Sequence, residues 1–200
     1  ALAEQGGIAI ERARLVETIR NNTKLFHDLA MHINASMDIK KIMEILSAGI
    51  AKALDVKAVS VRLLDEEERT LKLVASYGLS KEYLMKGPVS AEKSIAEALR
   101  GKPVVVRNAS SDEGVQYREE KKAEGIVSIL CVPIKEREKV IGVLRLYTDR
   151  EREFTADDIL LVSALAHQGG IALQNASLFL ALKEDMKDLK DDLWSHRSWF

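Results

Sequence analysis

A fifteen-residue segment occurs twice in this chain, and the repeat constrains the organisation of the chain more than any other sequence feature. Residues 1–15 and 164–178 are identical at 10 of 15 positions, and both contain Gln-Gly-Gly. Two similar helices arising by chance are the alternative, but paired glycines cost a helix roughly 1 kcal/mol each, which argues against it. The second copy closes a globular stretch. We therefore expect residues 1–23 to be the terminal helix of an upstream repeat domain.

Both ends of the chain predict long helices with apolar residues at seven-residue spacing. One helix runs from Ala1 and breaks around Asn34 to Asp38, and the other has no stop signal after its start at Thr155. Such heptads predict pairing with a second copy, and we expect a parallel homodimer. Seam positions also include Asn22, Leu29, Ile33, Ala172, Asn175 and His196. The predicted dimerisation residues are Ile8, Leu15, Ile19, Phe26, Phe179, Leu182, Met186, Leu189 and Leu193.

The start of the last helix carries a strong capping signal. Thr155 is followed by Asp158 at the third helical position, an aspartate variant of the capping box. Phe154 and Ile159 flank this pair and form a predicted hydrophobic staple. Upstream, Asp38 is the expected cap of a helix over 39–54.

The middle of the chain changes to the two-residue alternation of β-strands. Predicted strands cover 58–64, 71–77, 104–106, 126–135 and 139–148, with a short helix over 94–100 that Gly101 ends. In the second strand Leu71, Leu73, Ala75 and Tyr77 are expected on one face. The predicted fold class is α+β, with a central antiparallel sheet and helices packed on it.

Composition limits the classes of function. Thirty basic and thirty-one acidic residues leave a net charge of −1, which argues against nucleic-acid binding. The single cysteine rules out an internal disulfide and suits a reducing compartment. No apolar run approaches the roughly 20 residues of a membrane span. We expect a cytoplasmic domain without a membrane span in this segment.

No motif in the sequence predicts catalysis, a metal site or a specific cofactor. Cys131 lies in an apolar strand, where a lone cysteine is usually a core filler. His27 and His32 are five residues apart and lack the spacing of a helical zinc pair. The glycines form no phosphate-binding loop, and Gly169-Gly170 favours close backbone packing of the terminal helices. We expect no enzyme activity.

Several segments in this order and spacing resemble the GAF family over 24–179. They are Ala58 to Asp65, Val74 to Gly78, Gly125 to Ile134, Val140 to Tyr147, and Phe154 to Asp158. The resemblance implies a PAS-related sheet of five or six strands, flanked by long helices, with a ligand pocket on one face. Residues 180–200 then form a C-terminal coiled-coil helix. By position in the motif order, the implied pocket residues are Tyr77, Ser94, Val106, Asp112, Tyr117, Ile129 and Cys131.

Two functions follow from this resemblance. One is a regulatory sensor in signal transduction, in which an unidentified small molecule shifts the pairing of the flanking helices. The other is a ligand-free dimerising spacer that relays geometry between tandem domains. In the spacer the pocket is closed by side chains such as Tyr117.

Overall fold

The structure of the protein is a computed structural model that describes residues 17, 20, 21, 23–25, 27–31, 38–90 and 96–195, with side chains to 187. The described residues between 17 and 31 are helical. The later elements are α1 (Ile39–Ala53), β1 (Ala58–Asp65), β2 (Thr70–Tyr77), α2 (Lys81–Leu84), β3 (Val89–Ser90), α3 (Ala96–Leu99), β4 (Val104–Val106), α4 (Arg118–Ala123), β5 (Ser128–Glu136), β6 (Lys139–Thr148) and α5 (Ala156–Ser195).

Six strands form one antiparallel sheet in the order β3-β2-β1-β6-β5-β4. The α+β fold and the antiparallel sheet predicted from the sequence are confirmed. The aliphatic strands β5 and β6 are buried along most of their length because the sheet is covered on both faces. We call the face under α1 and α5 the helix face and the opposite face the loop face.

The helix face carries the main hydrophobic core. Successive residues of the central strands alternate between faces, so Leu144 and Leu146 of β6 join this core while Val143 and Tyr147 point to the loop face. Helix α1 contributes buried side chains at helical spacing, and its N-terminus is capped by Asp38, which accepts hydrogen bonds from two backbone amides. These α1 side chains are Ile42, Met43, Leu46 and Ile50.

The side chains of Leu71, Leu73, Ala75 and Tyr77 in β2 do not all lie on one face of the sheet, so the prediction that they share a face was wrong. Val61 pairs with Ala75 and Arg62 with Leu73, so Val74 is an extra residue that forms a β-bulge. The bulge exchanges the faces. Leu71 therefore packs on the loop face, whereas Ala75 packs in the helix-face core.

Helix α5 begins at the predicted cap and continues far past the sheet. Thr155 and Asp158 exchange backbone-to-side-chain hydrogen bonds of 3.1 Å each, while Phe154 is buried against the core. Ala176 is the last buried residue among the side chains that the structure describes, and those from 177 to 187 are exposed. None of the helices that the structure describes has the length and apolar character to cross a membrane.

The two predicted seam positions nearest the domain belong to its own core. Leu29 is 8% exposed and packs against Gly49 of α1, and Ala172 is 3% exposed in the helix-face core. Their assignment to an intersubunit seam was therefore wrong, because the sheet and α1 already bury them. Ile8, Leu15, Ile19, Phe26, Asn22 and Ile33 lie outside the described residues, as do the side chains of Leu189, Leu193 and His196.

The glycine pair of the repeat has a defined packing role in α5. A Cβ on Gly170 would lie 2.2 Å from the carbonyl oxygen of Lys135 in β5, whereas a Cβ on Gly169 would lie 3.1 Å from a methyl group of Leu46. The close approach thus joins helix to strand rather than the terminal helices to each other. Gly170 cannot gain a side chain unless α5 moves off the sheet.

We expect Gly170→Ala to lower the free energy of unfolding by about 2–3 kcal/mol, because the added methyl group collides with backbone. Gly169→Ala is the matched control. Its gain in helix propensity, about 1 kcal/mol, offsets the small shift needed from Leu46. Urea denaturation of both variants measures the difference. Equal losses in the two variants would contradict the packing described for α5.

Candidate functional site

Two arginines on neighbouring central strands are buried on the loop face. Arg62 of β1 is 5% exposed and Arg145 of β6 is 4% exposed. Ser60 pairs with Arg145 and Arg62 pairs with Val143, so the two arginines are diagonal neighbours in the sheet. Diagonal residues on one face are within reach of each other's long side chains.

Two lysines from the covering helices add to this positive charge. Lys121 of α4 is 2% exposed and donates to the carbonyl oxygen of Gln116. Lys86, just after α2, donates to the carbonyl oxygen of Tyr83 at 3.1 Å. We call Arg62, Lys86, Lys121 and Arg145 the cationic cluster.

Three nitrogen atoms of the two arginines are buried without a hydrogen-bond partner. They are Nε of Arg62 and both Nε and Nη2 of Arg145. Arg62 uses Nη1 to donate to the carbonyl oxygen of Leu71 at 3.1 Å. Most buried polar atoms in folded proteins are paired, and leaving one unpaired costs about 1–3 kcal/mol, or more for a charged group. These three atoms therefore need a functional or structural reason.

Tyrosine rings line the same part of the loop face. Tyr83 and Tyr147 are buried and meet edge to face, with ring centroids 6.3 Å apart. The hydroxyl of Tyr147 lies 3.0 Å from Oγ of Ser60. The ammonium group of Lys86 lies 3.4 Å from the centroid of the Tyr83 ring, a cation–π contact. The cluster is thus enclosed by aromatic and hydroxyl groups.

Tyr117 lies at the N-terminus of α4, next to the loop face, and has a strained backbone conformation. Its φ of 60° and ψ of 51° lie in the left-handed region, which costs a residue with a Cβ roughly 1–2 kcal/mol. Its hydroxyl donates to the carbonyl oxygen of Pro88 at 2.8 Å. The ring centroid is 5.8 Å from Nζ of Lys86. The hydrogen bond to Pro88 holds the strained residue beside the cluster.

A cleft of about 510 Å³ separates α2 from α4 and reaches Tyr83. Its rim is acidic, with Glu82, Glu120 and Glu124 among its lining residues. Glu124 is already occupied, since it accepts hydrogen bonds from both the backbone amide and the hydroxyl of Ser80. The cleft therefore joins solvent to the aromatic wall of the cluster.

The environment changes the titration of both lysines. Burial, followed by the positive charges of Arg145 and Lys86, lowers the pKa of Lys121 to about 7. Burial, followed by the charges of Arg62 and Arg145, lowers the pKa of Lys86 to about 8. Burial also lowers the pKa of Arg62, but a guanidinium stays charged at neutral pH. The site is electropositive, so both lysines lose their protons at a lower pH than an exposed lysine does.

The structure brings some of the sequence-predicted pocket residues together. Tyr117 lies beside Lys86, and Cys131 pairs with Arg145 across β5 and β6, where burial raises the pKa of its thiol. Val106 and Ile129 pack together in a neighbouring apolar cluster of the loop face.

Of the other predicted pocket residues, Tyr77 and Asp112 lie apart from the cluster. Tyr77 pairs with Val59, a helix-face residue, and is 39% exposed. Asp112 is exposed and accepts a hydrogen bond from the backbone amide of Gly114. Ser94 lies outside the described residues.

Sequence reasoning missed the four cations and the two buried tyrosines. Arg62 lies in the predicted strand 58–64, but that strand pattern did not predict its burial on the loop face. One signal was present. Arg145 interrupts the aliphatic run Val143-Leu144-Arg145-Leu146 in a strand predicted to be central, where a charge has no solvent to reach.

The lowered pKa of Lys121 predicts a pH-dependent stability. The unfolded chain holds this proton up to the ordinary lysine pKa and the folded chain loses it near pH 7, so stability rises with pH between those values. We expect Lys121→Met to reduce that rise by up to about 1.4 kcal/mol per pH unit. Urea unfolding at pH 7 and pH 9 tests this, with exposed Lys122→Met as the control. Parallel pH profiles for wild type and Lys121→Met would contradict it.

Comparisons with known proteins identify the fold family. A sequence model of the GAF domain matches residues 36–174. The GAF domain of a phosphoenolpyruvate-protein phosphotransferase from Acinetobacter is 24% identical, with a TM-score of 0.68 over 79% of this chain and 96% of that one. The corresponding domain from Coxiella burnetii is 19% identical, with a TM-score of 0.73 over 81% and 98%.

An enzyme shares the same fold. Free methionine-R-sulfoxide reductase from Neisseria meningitidis, solved with its substrate, is 16% identical, with a TM-score of 0.68 over 78% of this chain and 90% of that one. The search of curated proteins found no match. The family model covers more than half of the chain and agrees with its six-stranded sheet. The chain therefore belongs to the GAF family, whose members are regulatory and sensory domains of signalling proteins.

Proposed function

We propose that this chain is a non-catalytic regulatory domain that senses a small molecule on the loop face. It acts through the pairing of its flanking helices in a parallel homodimer. The observation that carries the proposal is the set of buried guanidinium nitrogens without partners, because a spacer with a filled interior has no use for them. The proposal divides the chain into an upstream helix (1–23), the sensory domain (24–179) and a coiled-coil helix (180–200), located in the cytoplasm.

The central strands offer a direct path from the loop face to α5. Arg145 and Leu146 are adjacent in β6, and the first belongs to the cationic cluster while the second packs in the helix-face core. Strand β5 also meets α5 at the close approach of Gly170 to Lys135. A ligand that binds two arrangements of these strands with different affinity will shift the position of α5.

The exposed part of α5 supports pairing with a second copy. Phe179, Leu182 and Met186 are 45%, 61% and 70% exposed, at steps of three and four residues along one side of the helix. These steps are those of a coiled-coil seam, and a helix that leaves its domain in this way gains little stability alone. The seam starts after the last buried residue, Ala176.

Catalysis receives no support beyond the shared fold. The neisserial reductase is an enzyme, and this chain has a single cysteine as a candidate redox group. Burial raises the pKa of the Cys131 thiol, which keeps it in the unreactive form. A redox reaction is thus a weaker candidate than sensing.

The sensory function is tested by thermal unfolding with a panel of nucleotides, amino acids and organic acids. We expect one or a few related compounds to raise the melting temperature, because a ligand that binds only the folded protein stabilises it by mass action. The same compounds should change the rate of Met186→Cys disulfide formation between subunits. A panel without any response would favour the ligand-free relay spacer.

Dimerisation is tested with Leu182→Glu combined with Met186→Glu, which places four carboxylates in one paired seam. We expect a monomer by light scattering, since like charges facing each other in a seam oppose pairing. Leu178→Glu is the control, because Leu178 is 57% exposed but about a quarter-turn off the seam. In a parallel dimer the two copies of Met186→Cys meet and form a disulfide. A dimer that survives the double substitution, or no disulfide, would refute the arrangement.

A further inference from the structure

We propose that the cationic cluster binds a small organic anion, whose carboxylate or phosphate group is held by Arg145 and Arg62 on the loop face. This inference rests on the proposed sensory function and adds the chemical class of the ligand. Only 4% of the surface of Arg145 is exposed, yet two of its nitrogen atoms have no hydrogen-bond partner.

The charges around the cluster are unbalanced among the described residues. None of the ion pairs between those residues includes Arg62, Lys86, Lys121 or Arg145. The carboxylates that act on the two lysines are Glu120 and Glu124, and Glu124 is bound to Ser80. Two permanently charged guanidiniums, and two lysines when they are protonated, thus face two carboxylates among the described residues. Burying unpaired charge costs several kcal/mol per ion, and a bound anion removes much of that cost.

The chemistry of the two arginines selects an oxyanion. A guanidinium presents a planar fork of donors that fits both oxygens of a carboxylate or phosphate, and it keeps its charge at any physiological pH. The immediate neighbours of Arg145 are the Cys131 thiol and the Tyr147 hydroxyl, and neither is a carboxylate. Cys131 and Tyr147 hydrogen-bond to Arg145 without balancing its charge, and its Nε and Nη2 atoms have no hydrogen-bond partner.

The surroundings of the cluster suit the organic part of such a ligand. Tyr83, Tyr117 and Tyr147 provide aromatic surface beside the charges, and each ring also carries a hydroxyl group. Ligand sites combine mostly apolar walls with a few polar groups that fix orientation. A purely inorganic ion would leave these aromatic walls unused.

A structural role of the arginines is the competing explanation, and the two residues differ in this respect. Arg62 supports the sheet through its hydrogen bond to the carbonyl oxygen of Leu71. Arg145 has two free nitrogens and is the better test. Replacing an unpaired buried cation with an apolar side chain of similar length is neutral or stabilising, whereas breaking a structural pair is strongly destabilising.

The experiment measures melting temperatures of wild type, Arg145→Met and Arg150→Met at constant ionic strength. Arg150 follows the same strand but is exposed and pairs with Asp55, so its variant controls for loss of one surface arginine. The probes are succinate, its neutral analogue succinamide, and inorganic phosphate. We expect succinate, phosphate or both to raise the melting temperature of wild type and Arg150→Met by roughly 5–10 °C at a hundredfold excess over Kd.

Arg145→Met should lose this response while melting, without anion, at or above the wild-type temperature. A response to succinate alone identifies a carboxylate ligand and a response to phosphate alone a phosphate ligand. Should Arg145→Met fail to fold, Arg145→Lys replaces it, since it keeps the charge and loses the fork. Its response must then fall below that of Arg150→Met.

Three results would overturn the assignment: an equal response in the Arg145 variant, no response to either anion, or a response to succinamide equal to that for succinate. The outcome for the sensory function is separate. A neutral compound that stabilises both wild type and Arg145→Met leaves sensing intact and removes only the anion. No stabilisation by any compound removes both.

Discussion

The whole structure depends on a sheet that is buried on both faces. Alternating residues of β5 and β6 must satisfy two interiors, so Leu144 and Leu146 pack under α1 and α5 while Arg145 points to the opposite side. An apolar residue at position 145 would close the loop face as a second hydrophobic core. The arginine instead places charge where no solvent pairs with it, at a cost that folding alone does not repay. The helix face contributes stability, and the proposed ligand would compensate for the stability that the loop face loses.

The two faces share their strands, so the proposed binding on the loop face would be coupled to the helices on the other face. Packed cores change between discrete arrangements rather than deforming smoothly, so a ligand on one side of β6 can move what rests on the other. Gly170 sets how closely α5 approaches β5, because its missing Cβ admits the carbonyl oxygen of Lys135. Small shifts of β5 would therefore reach α5 without a flexible layer between them. Gly169 and Gly170 therefore lie where α5 packs on the sheet, which is where the proposed signal would pass to α5.

Local rules predicted the framework well, because capping and alternation act over a few residues. The reciprocal bonds of Thr155 and Asp158, the cap at Asp38 and the bounds of β6 all followed from neighbouring residues. The bulge at Val74 and the burial of Arg62 depend on strand pairing, which short-range patterns do not contain. Leu29 and Ala172 show a related limit, since one apolar spacing serves either a core or a seam. The pocket residues taken from the family resemblance included Tyr117 and Cys131 but none of the cations, because binding groups vary within one fold.

The central claim is that Arg145 and Arg62 hold free guanidinium donors that an anionic ligand takes up. Nuclear magnetic resonance of arginine Nε–Hε groups observes those donors directly, with Arg62→Met and Arg145→Met assigning the two signals. On titration with succinate or phosphate, the account predicts that both signals move together and saturate, while the signal of exposed Arg150 stays in place. Movement of the exposed arginines alone, with Arg62 and Arg145 unchanged at saturation, would contradict it.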